Sequence, residues 1–341
     1  MDLKPYIAEV INHRDLSFEQ AREAMNIIMR GEATQAQVGS YLTALRMKRE
    51  TGDEIAGSAA SMRSHVVGVD AASLSADGKV YDVVGTGGDG THTFNVSTTT
   101  AFVVAGAGKV VAKHGNRGVS SRSGAADCLM ALGGNLNLTA SQTKDVIAKA
   151  GIGFLYAIKH HPAMRYAIGP RRELGQRTIF NILGPLTNPA SASHYMLGVF
   201  APDYTEPMAY TLGKLGATAA YVVHGASGLD ELSITGVNRV SHLKDGQVTT
   251  FEQDPRSLGL ELGTLDDLVG GEPAENAAIT RGILSGELHG HKRDIVLLNA
   301  AGALSVETGD WEAGIAEARQ SIDSGAALAK LDAWIEATNQ V

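Results

Sequence analysis

The sequence predicts an α/β protein with a small helical domain at the amino-terminal end and a larger α/β domain. The central sheet of the larger domain is expected to be mainly parallel and covered by helices. The first seventy residues carry helix signals, whereas short runs rich in β-branched residues alternate with helical stretches after them. With 341 residues, 44% of them hydrophobic, the chain is long enough to build both parts.

Capping boxes mark the start of three helices in the first part. In this pattern a hydroxyl side chain caps the helix and a Glu or Gln three residues later caps it in return. The pairs are Ser17 with Gln20, Thr34 with Gln37, and Thr51 with Glu54. Short helices joined by short turns predict a small bundle with a boundary near residue 70, and its apolar face could also serve as a dimer surface.

Strands are predicted in the second part from apolar runs that alternate with helical stretches. Parallel sheets of this kind bind ligands at the carboxyl ends of their strands. A hairpin is expected where an Asp-Gly turn separates two such runs. The predicted strands are VYDVV (80–84), KVVAKHGN (109–116), MLGVF (196–200), AAYVVHG (219–225) and the hairpin RVSHLKDGQVTTFEQ (239–253) turned at Asp245-Gly246.

Charge and cysteine content narrow the class of protein. The net charge is −8 and no polybasic tract is present, which argues against nucleic acid or an anionic membrane as partner. The single cysteine, Cys128, cannot form an intrachain disulfide, which favours a reducing compartment. No apolar run approaches the roughly 18 residues of a membrane span, so we expect a cytoplasmic protein.

The stretch GTGGDGTHTFNVST, from Gly85 to Thr98, follows directly on the first predicted strand. Glycines let backbone N–H groups approach an anion, and the amino-terminal end of the next helix favours negative charge. Neither a Walker A loop nor the dinucleotide-binding spacing is present. The stretch therefore predicts a phosphate-binding loop, with Asn95 and Ser97 among its polar side chains; a tight turn without a ligand is the alternative.

Two further loops follow predicted strands. KHGNRGVSSRSG, from Lys113 to Gly124, combines cations and hydroxyls that suit phosphate oxygens; the alternative is a solvated surface loop. HGASGLDELSITG carries Asp230 and Glu231, whose oxygens suit Mg²⁺. The alternative is a pair of acids at the start of a helix, where they are also common.

A fourth segment, GPRRELGQRTIFNILGPLTNP (169–189), places Arg171, Arg172 and Arg177 beside an apolar and aromatic run. Such an arginine could pair with an aromatic carboxylate, or it could form salt bridges on a helix face. The preceding pair His160-His161 lacks the i,i+4 spacing of a helical metal site, so a role without metal is preferred.

Together these segments resemble the anthranilate phosphoribosyltransferase family, in order and spacing, over nearly the whole chain. The resemblance implies transfer of a phosphoribosyl group from phosphoribosyl pyrophosphate to the amine of anthranilate, in tryptophan biosynthesis. It implies two Mg²⁺ per site and a homodimer joined through the helical domain. It also implies a helical domain of residues 1–70 completed by helices around 165–190, with 71–164 and 191–341 as the phosphoribosyl pyrophosphate-binding domain.

The resemblance also assigns site residues. Those expected at phosphoribosyl pyrophosphate are Gly85, Gly88, Asp89, Thr93, Asn95, Val96, Ser97, Thr98, Lys113, His114, Gly115, Asn116, Arg117, Gly118, Val119, Ser120, Ser121 and Ala125. Those expected at anthranilate are Gly85, Asn116 and Arg171. Ser97 is expected on one Mg²⁺ and Asp230 with Glu231 on the second, and no covalent nucleophile is expected.

Two positions depart from the family pattern. Ala125 stands where a serine is common, at a substrate position, and Ile158 stands where many members have proline, in an expected loop. The expected mechanism relies on positioning and electrostatics, with Lys113 and Mg²⁺ stabilising the leaving pyrophosphate. His114 as a proton acceptor is the less favoured role for that residue.

Two other functions remain as alternatives. One is a pyrimidine nucleoside phosphorylase-like enzyme, which has no need for an arginine that pairs with a carboxylate. The other is a non-catalytic relative that binds nucleic acid, which the acidic net charge and the intact acidic pair argue against.

Overall fold

The structure, a computed structural model, describes residues 2–118 and 122–341. The strands are β1 Tyr81–Gly85, β2 Val111–Gly115, β3 Ile152–Tyr156, β4 His194–Gly198, β5 Ala219–His224, β6 Asn238–Lys244 and β7 Gln247–Gln253. They form one sheet in the order β3-β2-β1-β4-β5-β6-β7. Neighbours from β3 to β5 run parallel and β6 and β7 are antiparallel, which confirms the mainly parallel sheet.

The helices come before the sheet, between its strands and after its last strand. They are α1 Lys4–Ile11, α2 Phe18–Met29, α3 Gln35–Lys48, α4 Gly52–Ser64, α5 Val96–Gly106, α6 Ala125–Ala131, α7 Ala140–Ala150, α8 Ala157–His160, α9 Arg165–Leu174, α10 Phe180–Leu186, α11 Thr205–Lys214, α12 Leu265–Leu268, α13 Pro273–Leu284, α14 His291–Ser305, α15 Trp311–Asp323 and α16 Ala326–Asn339. All three predicted capping boxes are present, at the starts of α2, α3 and α4. Within the described parts of the chain, no helix combines the length and apolarity that crossing a bilayer requires.

The sheet is buried on both faces. Tyr81 and Val83 of β1 belong to an apolar cluster with residues of α5, α14 and α16. Val84, the next residue, belongs to a second cluster that continues into α2 and α3. Successive strand residues point to opposite faces, so both faces of a central strand become apolar. The helical bundle therefore packs on one face of the sheet, and loops at the strand ends meet the bundle.

The bounds of the predicted strands shift by one or two residues, and one strand was not predicted. The pattern did not predict β3: its segment IGFLY has strand-favouring Ile152, Phe154 and Tyr156, but Gly153 interrupts the run. β4 begins at His194, two residues before the predicted start, since backbone pairing with β1 recruits residues that have no β-branch. The hairpin is confirmed: Asp245 and Gly246 have φ values of 50° and 73°, as a tight hairpin turn requires.

Candidate active site

The glycine loop after β1 lies at the point where the order of the sheet changes direction. β1 lies between β2 on one side and β4 on the other, and open parallel sheets bind ligands at such points. The two strands β1 and β4 end in Gly85 and Gly198. A Cβ atom at either residue would overlap Asp230. Glycine at both positions therefore allows the loop that carries Asp230 to close over the strand ends.

The loop itself has the geometry of an anion-binding turn. Gly87, Gly88 and Gly90 have φ values of 72°, 77° and 78°, a conformation that favours glycine. Helix α5 begins at Val96 directly after the loop, and the first N–H groups of a helix are suited to bind phosphate. The hydroxyl of Thr98 in its first turn is buried and has no hydrogen-bond partner among the described residues. A ligand oxygen would satisfy that hydroxyl.

Several predicted site residues hold the shape of this loop. Asp89 accepts hydrogen bonds from the N–H and the hydroxyl of Thr91, at 3.2 and 2.6 Å. Thr93 pairs with Val269 in an isolated antiparallel bridge. Val96 is buried in the apolar core, so it can meet a ligand only through its backbone.

Asn95 is fixed by a residue that sequence analysis missed. Its Oδ1 accepts hydrogen bonds from Asn276 Nδ2 at 2.9 Å and from Ser123 Oγ at 3.1 Å, and its Nδ2 donates to the carbonyl of Ser123 at 3.1 Å. Asn276 is 1% exposed and lies on α13. The two asparagines are 181 positions apart, so local sequence gives no signal of the pair.

Asp230 and Glu231 are buried carboxylates, 9% and 8% exposed. Asp230 Oδ2 accepts a hydrogen bond from Gly87 N at 2.6 Å, and Glu231 Oε1 accepts one from Ser97 N at 3.2 Å. Burial raises the pKa of Glu231 to about 7. Burial and the neighbouring Glu231 charge raise the pKa of Asp230 well above its ordinary value.

This pair of carboxylates fits a divalent cation. Two buried negative charges that repel each other are stabilised by a positive ion, and Mg²⁺ prefers oxygen ligands. Among the described residues, no group of three or more His, Cys, Asp and Glu side chains is arranged to hold a metal ion. Mg²⁺ commonly combines one or two carboxylates with substrate phosphates, and the structure offers that partial set.

Lys113 lies beneath the loop and is 3% exposed. Its Nζ donates to the carbonyl of Val83 at 2.5 Å and to Ser97 Oγ at 3.2 Å. Burial lowers the pKa of Lys113, and the charges of Asp82, Glu231 and Asp230 oppose that effect. The ammonium group therefore adjoins the predicted metal ligand Ser97 from the side of β2.

The remaining residues of the second loop lie at the carboxyl end of β2. Asn116 and Arg117 are exposed. The N–H groups of Gly118 and Gly124 both donate to Asp127 Oδ2 at 3.0 Å, which draws the two ends of the loop together. Ala125 is the first residue of α6, and Gly115 ends β2 beside it. Val119, Ser120 and Ser121 lie outside the described residues.

Arg171 lies on α9, in the helical part of the molecule. Its guanidinium carbon is 5.1 Å from the centre of the Phe180 ring, and within the described chain no carboxylate charge acts on the side chain. Burial lowers its pKa. A half-buried cation beside an aromatic ring, without an anion of its own, is suited to bind an aromatic carboxylate.

Arg177, between α9 and α10, reaches from the helical part to the glycine loop. Its Nη2 donates to the carbonyl of Gly88, and its guanidinium lies 4.4 Å from the centre of the Phe200 ring. The sequence indicates the charge of this arginine but not this contact. The contact links the predicted acceptor side of the site to the predicted phosphate side.

His114 and His161 form a buried pair that sequence analysis did not connect. His114 Nδ1 lies 3.1 Å from the carbonyl of Gly184, and the two Nε2 atoms are 3.1 Å apart. Burial lowers the pKa of His114 well below its ordinary value and that of His161 to about 4. Because a carbonyl only accepts, neutral His114 carries its proton on Nδ1 and accepts a hydrogen bond from His161.

The other two expectations in this region concern His160 and Ile158. His160 Nδ1 lies 2.7 Å from the carbonyl of Val67, a contact without metal. Ile158 is 62% exposed and lies on the short helix α8, whereas the sequence predicted a loop.

Comparison with known proteins first defines the class of enzyme that the chain resembles. Residues 4–66 match the helical bundle domain of a glycosyl transferase family, and residues 77–328 match the a/b domain of such a family. The chain is similar to the anthranilate phosphoribosyltransferase of Acetivibrio thermocellus, with 50% identity over 99% of this chain and 97% of that protein. It is 51% identical to the Brucella canis enzyme of the same name, over 99% and 98% of the two chains.

Solved structures agree with this class. The crystal structure of anthranilate phosphoribosyltransferase from Thermus thermophilus has a TM-score of 0.92 and 40% identity, covering 99% of this chain and 100% of that one. The Saccharomyces cerevisiae enzyme in complex with PRPP and Mg has a TM-score of 0.89 and 31% identity, covering 99% and 98%. The chain belongs to the anthranilate phosphoribosyltransferase family.

Proposed function

We propose that this protein transfers the phosphoribosyl group of phosphoribosyl pyrophosphate to the amine of anthranilate, releasing pyrophosphate. One observation carries the proposal: Asp230 and Glu231 cover the glycine loop and the start of α5 at the point where the sheet order changes direction. The yeast relative is described in complex with PRPP and Mg, and also with 4-fluoroanthranilate. PRPP and Mg suit the phosphate-binding loop and the acidic pair, and 4-fluoroanthranilate suits an arginine that binds an aromatic carboxylate.

The glycine loop and the start of α5 are proposed to bind the phosphates. Backbone N–H groups there, with Ser97 and Thr98, donate to phosphate oxygens. Lys113 contributes positive charge from the side of β2, and Asn116 and Arg117 extend the same surface. As the bond between ribose C1 and pyrophosphate breaks, negative charge grows on the leaving group, and these groups stabilise it.

Asp230, Glu231 and Ser97 are proposed to hold Mg²⁺, with two ions in each site. Bound Mg²⁺ supplies positive charge that polarises phosphate oxygens and offsets the charge of the leaving group. The protein contributes the ligands and keeps them in place: the amides of Gly87 and Ser97 hold the two carboxylates at the loop.

Arg171 is proposed to orient anthranilate through its carboxylate, so that the amine faces ribose C1. An aromatic amine is neutral at pH 7 and needs no strong base before it attacks; the proton that it loses as the C–N bond forms passes to the departing pyrophosphate or to water. His114 is poorly placed to serve as that base, because its Nδ1 faces the carbonyl of Gly184 and its Nε2 faces His161. Positioning and charge stabilisation therefore account for the chemistry without a covalent nucleophile.

We also propose the assembly and location that the family resemblance implies. The helical domain comprises 1–70 with helices around 165–190, and α9 packs on α2 and α3 in support of this. Exposed apolar side chains on α1, α3 and α9 favour a homodimer through this domain; they are Ile11, Met47, Tyr166 and Ile168. A buried Cys128 that forms no disulfide is compatible with the cytoplasm.

Anthranilate fluorescence tests the proposed function. The purified protein should consume anthranilate only in a mixture that contains phosphoribosyl pyrophosphate and Mg²⁺. Omitting either should abolish the decrease in fluorescence. Consumption of a pyrimidine nucleoside with inorganic phosphate, in place of this reaction, would instead support the phosphorylase.

A further inference from the structure

Strands β1 and β2 separate towards their carboxyl ends. β1 pairs with β4 at every residue from Tyr81 to Gly85, and β2 pairs with β3 at every residue from Val111 to Gly115. Between β1 and β2, the ladder contains the single pair Tyr81 and Val111. The gap that opens beyond this pair lies directly below the glycine loop and the Lys113 loop.

Two fully buried side chains occupy the gap. Asp82 Oδ1 accepts a hydrogen bond from the N–H of His114 at 3.2 Å. Asn188 Nδ2 donates to Asp82 Oδ2 at 2.7 Å and to the carbonyl of Ala112 at 2.8 Å. These side chains thus bond to backbone groups of β2 that would otherwise face β1.

Lys113, on the other face of the sheet, likewise bonds to a backbone group that would otherwise pair the two strands. Its Nζ donates to the carbonyl of Val83 on β1 at 2.5 Å. The Asp82 carboxylate also attracts its charge. This attraction raises the pKa of Lys113 and lowers the pKa of Asp82, in each case against the effect of burial. The position of Lys113 therefore depends on the separation of the strands and on the charge between them.

Stability alone does not explain a carboxylate at this position. Asp82 is 0% exposed, and burial raises its pKa to about 6 in spite of the nearby Lys113 charge. Buried ionic groups are often replaceable by apolar residues at no cost in stability. Asn188 is 0% exposed as well and its Oδ1 accepts from the N–H of Ala190 at 2.7 Å, so its amide orientation is fixed.

We propose that Asp82 and Asn188 are positioning residues for the transfer reaction. They hold β1 and β2 apart and fix the direction of β2, so that Lys113 and the residues from Gly115 to Gly118 reach the phosphates of the substrate. Neither residue touches substrate in this account. The inference rests on the proposed function, because it names the residues that place its phosphate-binding groups.

The first test is Asp82→Asn, which keeps the size of the side chain but replaces one acceptor with an NH₂ donor. That donor must face either the N–H of His114 or the amide of Asn188, so the strand ends must shift. We expect kcat/KM for phosphoribosyl pyrophosphate to fall roughly tenfold to 100-fold, as loss of a supporting contact typically causes. KM for anthranilate should change less than about threefold, because Arg171 lies on another element.

A double-mutant cycle tests whether the pair acts as a unit. Asp82→Asn and Asn188→Ser each disrupt the contact across the gap, so combining them should cost little more than the larger single loss. We expect the combined loss in kcat/KM to be at least roughly threefold smaller than the product of the two single losses, a coupling typical of directly contacting residues. Such coupling supports a positioning pair, and losses that simply multiply would contradict it.

Ser321→Ala is the matched control for lost stability. Ser321 is 3% exposed and donates to the carbonyl of Val103 at 2.7 Å, at the far end of α5. It should lower the melting temperature without changing KM for phosphoribosyl pyrophosphate. The proposal is wrong if this control reproduces the kinetics of Asp82→Asn, or if folded Asp82→Asn has an unchanged kcat/KM.

Two further measurements keep the test decisive. If Asp82→Asn does not fold, Asn188→Ser takes its place, with the same expected kinetics and the same refuting result.

If the wild-type protein consumes no anthranilate, the proposed function fails. Calorimetric titration with phosphoribosyl pyrophosphate and Mg²⁺ then decides separately: an affinity of Asp82→Asn equal to that of wild type overturns the positioning role, and a weaker affinity supports it.

Discussion

The substitution Glu231→Gln should make the metal-free protein more stable while impairing its use of Mg²⁺. Burial raises the pKa of Glu231 from 4.5 to about 7, which corresponds to roughly 3 kcal/mol at about 1.36 kcal/mol per pKa unit. Because this pKa is raised, the associated stability is present below pH 4.5 and is lost as pH rises through about 7. Glutamine stays neutral at pH 8 and can still accept the hydrogen bond from Ser97.

Thermal unfolding at pH 8, in a chelator and in Mg²⁺, measures both effects. In the chelator, the unfolding midpoint of Glu231→Gln should exceed that of wild type by several degrees. The rise in unfolding midpoint that Mg²⁺ produces in wild type should be smaller in Glu231→Gln, and the kcat of the variant should be lower. Glu252→Gln, which removes an exposed carboxylate on β7, should change neither quantity.

The opposite pattern would refute this reasoning. If Glu231→Gln lowers the midpoint in chelator, the buried carboxylate is stabilising and the pKa argument fails. If its response to Mg²⁺ and its kcat equal those of wild type, Glu231 does not bind the metal.

Three other predictions follow from the site. Arg171→Ala should raise KM for anthranilate roughly ten- to 150-fold, for a charged hydrogen bond of about 1.5–3 kcal/mol; a matching rise for phosphoribosyl pyrophosphate, or the same effect in Arg172→Ala, would contradict the assignment. Ala125→Ser should lower KM for phosphoribosyl pyrophosphate roughly two- to tenfold, for a neutral bond of about 0.5–1.5 kcal/mol, and an unchanged KM would refute it. Burial lowers the pKa of His161 to about 4, so its stabilising effect is complete above pH 6.5 and lost as pH falls through about 4. Between pH 6.5 and about 4, the free energy of urea unfolding of wild type should fall by on the order of 3 kcal/mol more than that of His161→Gln, and an equal fall in the two proteins would exclude this histidine as the cause.

The fold was predictable from local patterns where the signal is local. Capping boxes placed α2 to α4, because a cap and its partner are three residues apart. The hairpin turn at Asp245 was predictable for the same reason. β3 was not, since Gly153 interrupts its short apolar run and pairing with β2 completes the strand.

The candidate site shows the same division between local and distant information. The loops at the ends of β1 and β2 follow from glycines and cations next to apolar runs. The contacts that shape those loops do not: Asn276 meets Asn95, and Asn188 meets Asp82, across more than a hundred positions. Burial also encloses Lys113 beneath the loops, which no single-sequence pattern reveals.

The central claim is that the protein transfers phosphoribosyl to anthranilate and releases pyrophosphate. The stoichiometry of the reaction is its most direct test. Protein freed of metal is mixed with anthranilate and phosphoribosyl pyrophosphate, and anthranilate consumption and pyrophosphate release are followed before and after Mg²⁺ is added. The account predicts that nothing is consumed before the addition and that one pyrophosphate is released per anthranilate after it. Pyrophosphate release without anthranilate consumption, or no reaction in the complete mixture, would contradict it.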